Sequence, residues 1–335
     1  MHPYIDFLIE KAKSVKGRVA VPDAQFDERV LEAACRVHKA GWLTVVLTGS
    51  KSAHQALADK HGFDISGMEI IDPDEFADFS SYCEEYGRLR AKENLSSDQI
   101  EQILREPVYF ACMLHKHGLV NGICSGVYYS TADLARPSIK ILGMQPGVNK
   151  MTALGVMAFE HTPLGDNLVY CAADGTILPN PTTEELAEIA ILAADKAKSI
   201  LPDTPRVAML SFSTLGSSKH EMVDKVANAV KIAQDKRPDL YIDGEFQLDA
   251  AISPYVAAKK VKRHSEVAGR ANVLIWPDLQ AGNMVGKGMM MMGNGMLVGA
   301  TFLGLNGFVN DHSRGATVDE IVTNIAFVGA QIERN

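Results

Sequence analysis

Four short segments of the chain place hydroxyls, guanidinium groups and carboxylates at spacings that can do chemistry. Ser130-Thr-Ala-Asp-Leu-Ala-Arg136-Pro137 sets two hydroxyls, Ser130 and Thr131, about one helical turn ahead of an arginine. Ser211-Phe-Ser-Thr-Leu-Gly-Ser-Ser-Lys219 follows an apolar run and opens a helical pattern. There, successive backbone N–H groups can form an anion nest or simply cap a helix. Asn310-Asp-His-Ser313-Arg314-Gly315 closes a long uncharged stretch and delivers Asp, Ser, Arg and Gly together. Thr317-Val-Asp319-Glu320 has the spacing of a capping box, which assigns Glu320 a helix-capping role beside any chemical one. Hydroxyl-rich turns and arginines beside helix starts suit phosphate, which backbone N–H groups and planar guanidinium forks both bind well.

Other chemistries fail on spacing. A nucleotide-triphosphate loop needs GxxxxGK(S/T), and Gly282-Asn-Met-Val-Gly-Lys287-Gly288 has the wrong interval and no hydroxyl after the lysine. Gly293-Asn-Gly295-Met-Leu-Val-Gly299 is one residue too long for a dinucleotide fingerprint. No GxSxG occurs. His115 and His117 are two apart on an expected helix and so point to different faces, which reads as solvent-facing histidines rather than metal ligands. No metal is expected. With 33 Lys and Arg against 41 Asp and Glu, the net charge of −8 repels nucleic acid and anionic lipid, so any anion site is local. Five cysteines without a CxxC pair fit reduced, buried thiols and a cytoplasmic setting.

The elements that must position these segments follow from periodicity. In 335 residues, short β-branched runs alternate with helical patterns, the signature of an α/β protein with largely parallel sheets, and the length suggests two domains. Strands are expected at 18–21, 44–47, 69–71, 121–124, 168–171, 206–210, 240–243 and 272–276. Helices are expected over the N-terminal segment and at 27–39, 97–117, 183–198, 220–235 and 249–260, with a last helix starting at Thr317. Residues 288–310 carry no charge over 23 positions, but six glycines and three asparagines interrupt them, so a buried strand with its turns is expected rather than a membrane span.

The chain resembles the phosphate acetyltransferase (phosphotransacetylase) family along its whole length. The resemblance is carried by Pro22-Asp-Ala-Gln-Phe-Asp-Glu-Arg-Val-Leu31, Asp174 with Asn180-Pro-Thr-Thr-Glu-Glu-Leu186, and Arg206-Val-Ala-Met-Leu-Ser-Phe-Ser-Thr214. Asp243-Gly-Glu-Phe-Gln-Leu-Asp-Ala-Ala251, Ala271-Asn-Val-Leu-Ile275, Ala281-Gly-Asn283 and Val309-Asn-Asp-His-Ser-Arg-Gly315 complete it in order. It implies an isocitrate/isopropylmalate dehydrogenase-like fold of two α/β domains flanking a cleft, one at 1–147 plus 303–335 and the other at 148–302. It also implies a homodimer, the short single-enzyme form, coenzyme A or acetyl-CoA as substrate, and no permanently bound cofactor. Neither nucleic acid nor membrane is an expected partner.

Residue by residue, the resemblance makes Arg136 and Arg314 phosphate-binding arginines, with Ser130 and Thr131 beside Arg136. Arg90 is implied in coenzyme A binding, and Ser313 lies next to the reacting centre. The family's base is an aspartate seven residues after that serine; here Glu320 holds the position, with Asp319 before it as the reserve. Further departures are the Met289 to Met292 run, Gly307-Phe308, Ala316, and Gly175-Thr176. The implied reaction is acetyl-CoA + phosphate = acetyl phosphate + CoA by direct thiolate attack in a ternary complex. A thiol of ordinary pKa is only a few per cent ionised at neutral pH, so a base is required. The rival expectations are a butyryl- or propionyl-preferring phosphate acyltransferase and a non-catalytic acyl-CoA or acetyl phosphate sensor.

Overall fold

A computed structural model describes residues 2–331. Its strands are β1 (Arg18–Ala20), β2 (Thr44–Thr48), β3 (Glu69–Ile71), β4 (Gly122–Ser125), β5 (Thr152–Thr162), β6 (Gly165–Ala173), β7 (Arg206–Leu210), β8 (Tyr241–Phe246), β9 (Val273–Ile275), β10 (Met296–Leu303) and β11 (Val309–Asp311). Contacts divide the chain into two compact units, Ile5–Pro146 with the chain from Leu305 onward, and His2–Tyr4 with Gly147–Gly304.

In the first unit the strand order is β3-β2-β1-β4-β11 and all pairings are parallel. Parallel neighbours need crossover helices, which bury both faces of the sheet. Val19, Ala20, Val45, Val46 and Ile123 are accordingly buried. Helix Glu28–Ala40 shows how sequence sets an element: the Asp27 side chain accepts from Arg29 N, and Gly41 stops the helix at φ +66°. Its Val30, Leu31, Ala34 and Val37 pack into one core with Val19, Val45, Ile321 and Ile325. The order reverses direction at β1, with β2 on one side and β4 on the other. In open α/β sheets the carboxyl ends of strands at such a reversal frame the ligand site.

The second unit has the order β10-β5-β6-β9-β7-β8. Its sheet is largely parallel, as expected, through β6, β9, β7 and β8, while β5 and β6 form an antiparallel hairpin and β10 runs antiparallel to β5. The Phe246, Leu274 and Trp276 side chains centre its core.

Several expectations are corrected for physical reasons. The expected helix 97–117 is two helices, Ser97–Leu104 and Pro107–Lys116, since Pro107 forces Glu106 out of the helical region to ψ 121°. Pro254 likewise splits 249–260 into Leu248–Ile252 and Pro254–Lys260. The uncharged stretch 288–310 starts as the last turn of helix Leu279–Met292, and only then becomes β10 and β11. Among the described residues no helix is long and apolar enough to cross a membrane.

Candidate active site

The carboxyl ends of β1, β4 and β11 lie side by side in the first unit, and their loops carry most of the expected residues. The loop after β1 contributes Asp23, which is fully buried. One of its oxygens accepts from Gly126 N, Val127 N and Tyr128 N at 3.0, 2.8 and 2.9 Å, and the other accepts from the Ser125 hydroxyl. The turn after β4 is thus folded around an internal carboxylate, a device that satisfies four donors at once. Gly126 is required there. At φ +126° a Cβ on this residue would lie 2.3 Å from His312 O and 2.4 Å from Asp311 Oδ1.

That turn leads into helix Thr131–Pro137. Ser130 and Asp133 form a capping box, Ser130 Oγ donating to Asp133 Oδ2 at 2.6 Å. The hydroxyl of Thr131 donates to Asp311 Oδ2 at 2.6 Å. Arg136 is exposed, with Nη1 3.9 Å from Asp133 Oδ1. Its guanidinium also bonds the hydroxyl of Tyr109, partly offsetting the burial that raises that phenol's pKa.

The loop after β11 carries Ser313 and Arg314, both exposed. Ser313 Oγ accepts from Gly315 N at 3.2 Å. Arg29 holds this loop from beneath: its Nη1 donates to Arg314 O at 3.1 Å and to Ala316 O at 2.9 Å, while Asp27 pairs with its other side. Burial alone would raise the Asp27 carboxyl, but the Arg29 hydrogen bonds hold it below its ordinary range. Asp133 is held low as well, first by the Ser130 hydroxyl and then by the charges of Arg136 and Arg314 together. The helix that carries Arg136 and the loop that carries Arg314 thus follow adjacent strands, β4 and β11.

The expected bases sit differently. Glu320 caps its own helix, Val318–Ala330: its Oε2 accepts from Thr317 N at 2.7 Å and from Thr317 Oγ1 at 3.0 Å. Asp319 is an exposed partner of Arg36 at 2.9 Å. The guanidinium of Arg90 is paired with Glu93, whose second oxygen accepts from Lys140 Nζ at 3.1 Å. Arg90 adjoins Tyr86, and the Tyr86 ring lies 6.2 Å from that of Tyr109. No contact joins Arg90 directly to Ser313 or Arg314 among the described residues.

Asp23, Arg29, Gly126 and Asp311 are the site-building residues that residue-by-residue reading missed. Asp23 and Arg29 stood in the string 22–31 and Asp311 in 309–315, but their partners are remote in sequence. Asp311 is 8% exposed, and burial, eased by the Thr131 hydrogen bond, pushes its carboxyl up to about 6. His312 is buried too, and burial lowers its pKa. Of the two histidines expected to face solvent, His117 is exposed and His115 is not. His115 Nε2 accepts from Phe308 N at 2.7 Å, and His117 stacks on Tyr82 and reaches Glu85 at 2.7 Å. The turn 211–219 is no open nest, because the buried carboxylate of Glu245 takes Ser213 Oγ at 2.8 Å and Gly216 N at 2.7 Å. No group of metal-ligating side chains occurs among the described residues.

The family model for phosphate acetyl/butaryl transferases matches residues 4–328. This chain belongs to that family. A phosphate acetyltransferase of Thermoanaerobacterium thermosaccharolyticum is 41% identical over 329 residues, covering 98% of this chain and 99% of the relative. One from Clostridium acetobutylicum is 40% identical over 330 residues, covering 98% of both. Among solved structures, a phosphotransacetylase from Streptococcus pyogenes superposes with a TM-score of 0.89 at 38% identity, covering 99% of this chain and 98% of that one. A 4-hydroxythreonine-4-phosphate dehydrogenase from Burkholderia phymatum shares the fold alone, with a TM-score of 0.54 at 13% identity, covering 94% of this chain and 98% of that one. The phosphate acetyl/butaryl transferase fold is thus an α/β architecture that also carries other chemistries.

Proposed function

We propose that this member of the family exchanges an acetyl group between coenzyme A and phosphate at the loops after β4 and β11. Phosphate acetyltransferase activity accords with full-length relatives near 40% identity. The observation that carries the site assignment is the parallel pairing of β4 with β11 and the Thr131–Asp311 bond across their ends at 2.6 Å, which set the Arg136 helix beside the Arg314 loop. A phosphate dianion placed near those two cations would receive bidentate, charge-assisted hydrogen bonds, which lysine cannot supply.

In the direction that consumes acetyl phosphate, the coenzyme A sulfur attacks the acetyl carbonyl. The S–H proton passes to the Glu320 carboxylate, the sulfur–carbon bond forms, and the carbonyl π electrons move onto oxygen. Ser313 accepts from Gly315 N, so its own proton is available to that oxyanion. Collapse expels phosphate toward Arg136 and Arg314. An oxyanion donor of this kind contributes ~10²–10³ in rate, and a positioned base ~10²–10⁴. The Thr317 bonds to one Glu320 oxygen orient the carboxylate. Arg90, paired with Glu93, would serve the coenzyme A side of the reaction.

The homodimer has its support in the second unit, where helix Leu279–Met292 and the β5–β6 hairpin flank an open apolar hollow of about 550 Å³. Met291 and Met292 beside it are 86% and 93% exposed, the kind of apolar surface that a second copy would cover.

Thiol release from acetyl-CoA and phosphate tests the site. Arg314→Ala should lower kcat/KM by ~10²-fold or more, and Arg136→Ala should in addition raise the phosphate KM. Unchanged kcat/KM in both variants would refute the assignment.

A further inference from the structure

Asp311 does something that neither the family's reaction nor the helix caps require. It is the last residue of β11, three before Arg314, and its backbone is fixed in the parallel ladder opposite Ser125. Its carboxylate is nearly inaccessible and takes the hydroxyl of Thr131 at 2.6 Å. Thr131 is the first residue of the helix that ends with Arg136 and Pro137. The other polar bonds at that helix start, Ser130 to Asp133 and back, close within the helix itself. They cannot set where the helix sits against the sheet.

Burying a carboxylate is costly, and a well-packed apolar residue at the end of a parallel strand would avoid that cost. Gly126 adds to the argument, since the turn before the helix passes so close to Asp311 Oδ1 that only a glycine fits. The charged and titratable groups facing the carboxylate are Arg314, Asp23 and Cys124. Arg314 follows three residues on, Asp23 lies in the turn after β1, and Cys124 is within β4, the strand paired with β11.

We infer that Asp311 is a positioning residue: by clamping Thr131 it ties the Arg136 helix to the end of β11 and so sets the spacing of Arg136 and Arg314. The inference rests on the proposed phosphate site and adds to it the device that holds the two guanidinium groups in register. Thr131 on this account spends its hydroxyl proton on Asp311, and its contribution to phosphate binding is indirect.

Steady-state kinetics on the intact protein test this, with phosphate and acetyl-CoA varied separately. Asp311→Ala and Thr131→Val should each raise the phosphate KM about tenfold, the scale expected when a positioning contact near the reacting groups is lost. The acetyl-CoA KM should stay unchanged. The double variant should cost no more than the worse single one, since both remove the same bond. Thr131→Ser and Asp311→Asn keep a donor and an acceptor in place and should restore the wild-type phosphate KM. Additive effects, or a phosphate KM unmoved in Thr131→Val, would overturn the clamp. Thr131→Val carries the test should Asp311→Ala fail to fold. Arg136→Ala is the control: if it too leaves the phosphate KM unmoved, it is the phosphate site that fails.

Discussion

Glu320 shows how one carboxylate can be asked to do two jobs. Its Oε2 accepts both Thr317 bonds of a complete capping box, which alone would account for a glutamate at this position. A base role is separable because glutamine also completes a capping box. Glu320→Gln should keep the thermal midpoint near that of the parent while lowering kcat by ~10²-fold or more. Turnover close to the parent's would remove Glu320 as base. Asp319 would then have to give up Arg36 to serve. The sequence made both carboxylates visible as candidates. It could not show which partner each would hold, since Arg36 lies 283 positions from Asp319 and only folding brings them to 2.9 Å.

At the level of elements, local rules account for starts and stops well. Asp27, Ser96, Thr182 and Thr317 are N-caps whose side chains accept from the first turn. The two split helices come from prolines whose effect on the preceding residue is also local. Strand β5 was missed because Met151-Thr-Ala-Leu-Gly-Val-Met-Ala-Phe159 is apolar on nearly every position, which periodicity cannot assign to strand or helix. Its identity comes from antiparallel pairing with β6 and β10 on either side. The turn after β4 is the element on which the site depends most. Gly126→Ala should destabilise the protein by about 1–3 kcal/mol from backbone conformation alone, before the overlap with His312 O is counted. Chemical denaturation measures it, and a midpoint within error of the parent would show that the turn can relax away from β11.

For the whole molecule, the buried Asp311 carboxyl makes a definite pH signature. Its folded pKa, raised to about 6 chiefly by burial, exceeds the unfolded carboxyl's value. Between those two values the folded protein keeps a proton that the unfolded chain has released, so this group's contribution is full at acid pH and is lost as pH rises through about 6. Relative to Asp311→Asn, the parent should lose up to about 3 kcal/mol of stability between pH 4 and pH 7, because each tenfold difference in proton affinity between the folded and unfolded chain is worth about 1.4 kcal/mol. Urea unfolding of both proteins at the two pH values checks this. A difference that grows in the parent's favour with rising pH would contradict the burial seen here. His312, whose pKa is lowered by burial, acts in the opposite sense in both proteins and cancels in the comparison.

The linear chain by itself determined the α/β class, most helix ends, and the strings that carry Arg136, Ser313 and Arg314, because periodicity, caps and turn chemistry act over a few residues. Tertiary structure alone decided that Asp23 folds the turn after β4, that Arg29 supports the Arg314 loop, and that Asp311 reaches Thr131. Those bonds span 103, 285 and 180 positions, and they exist only because parallel pairing of β1, β4 and β11 brings three distant strand ends to one edge.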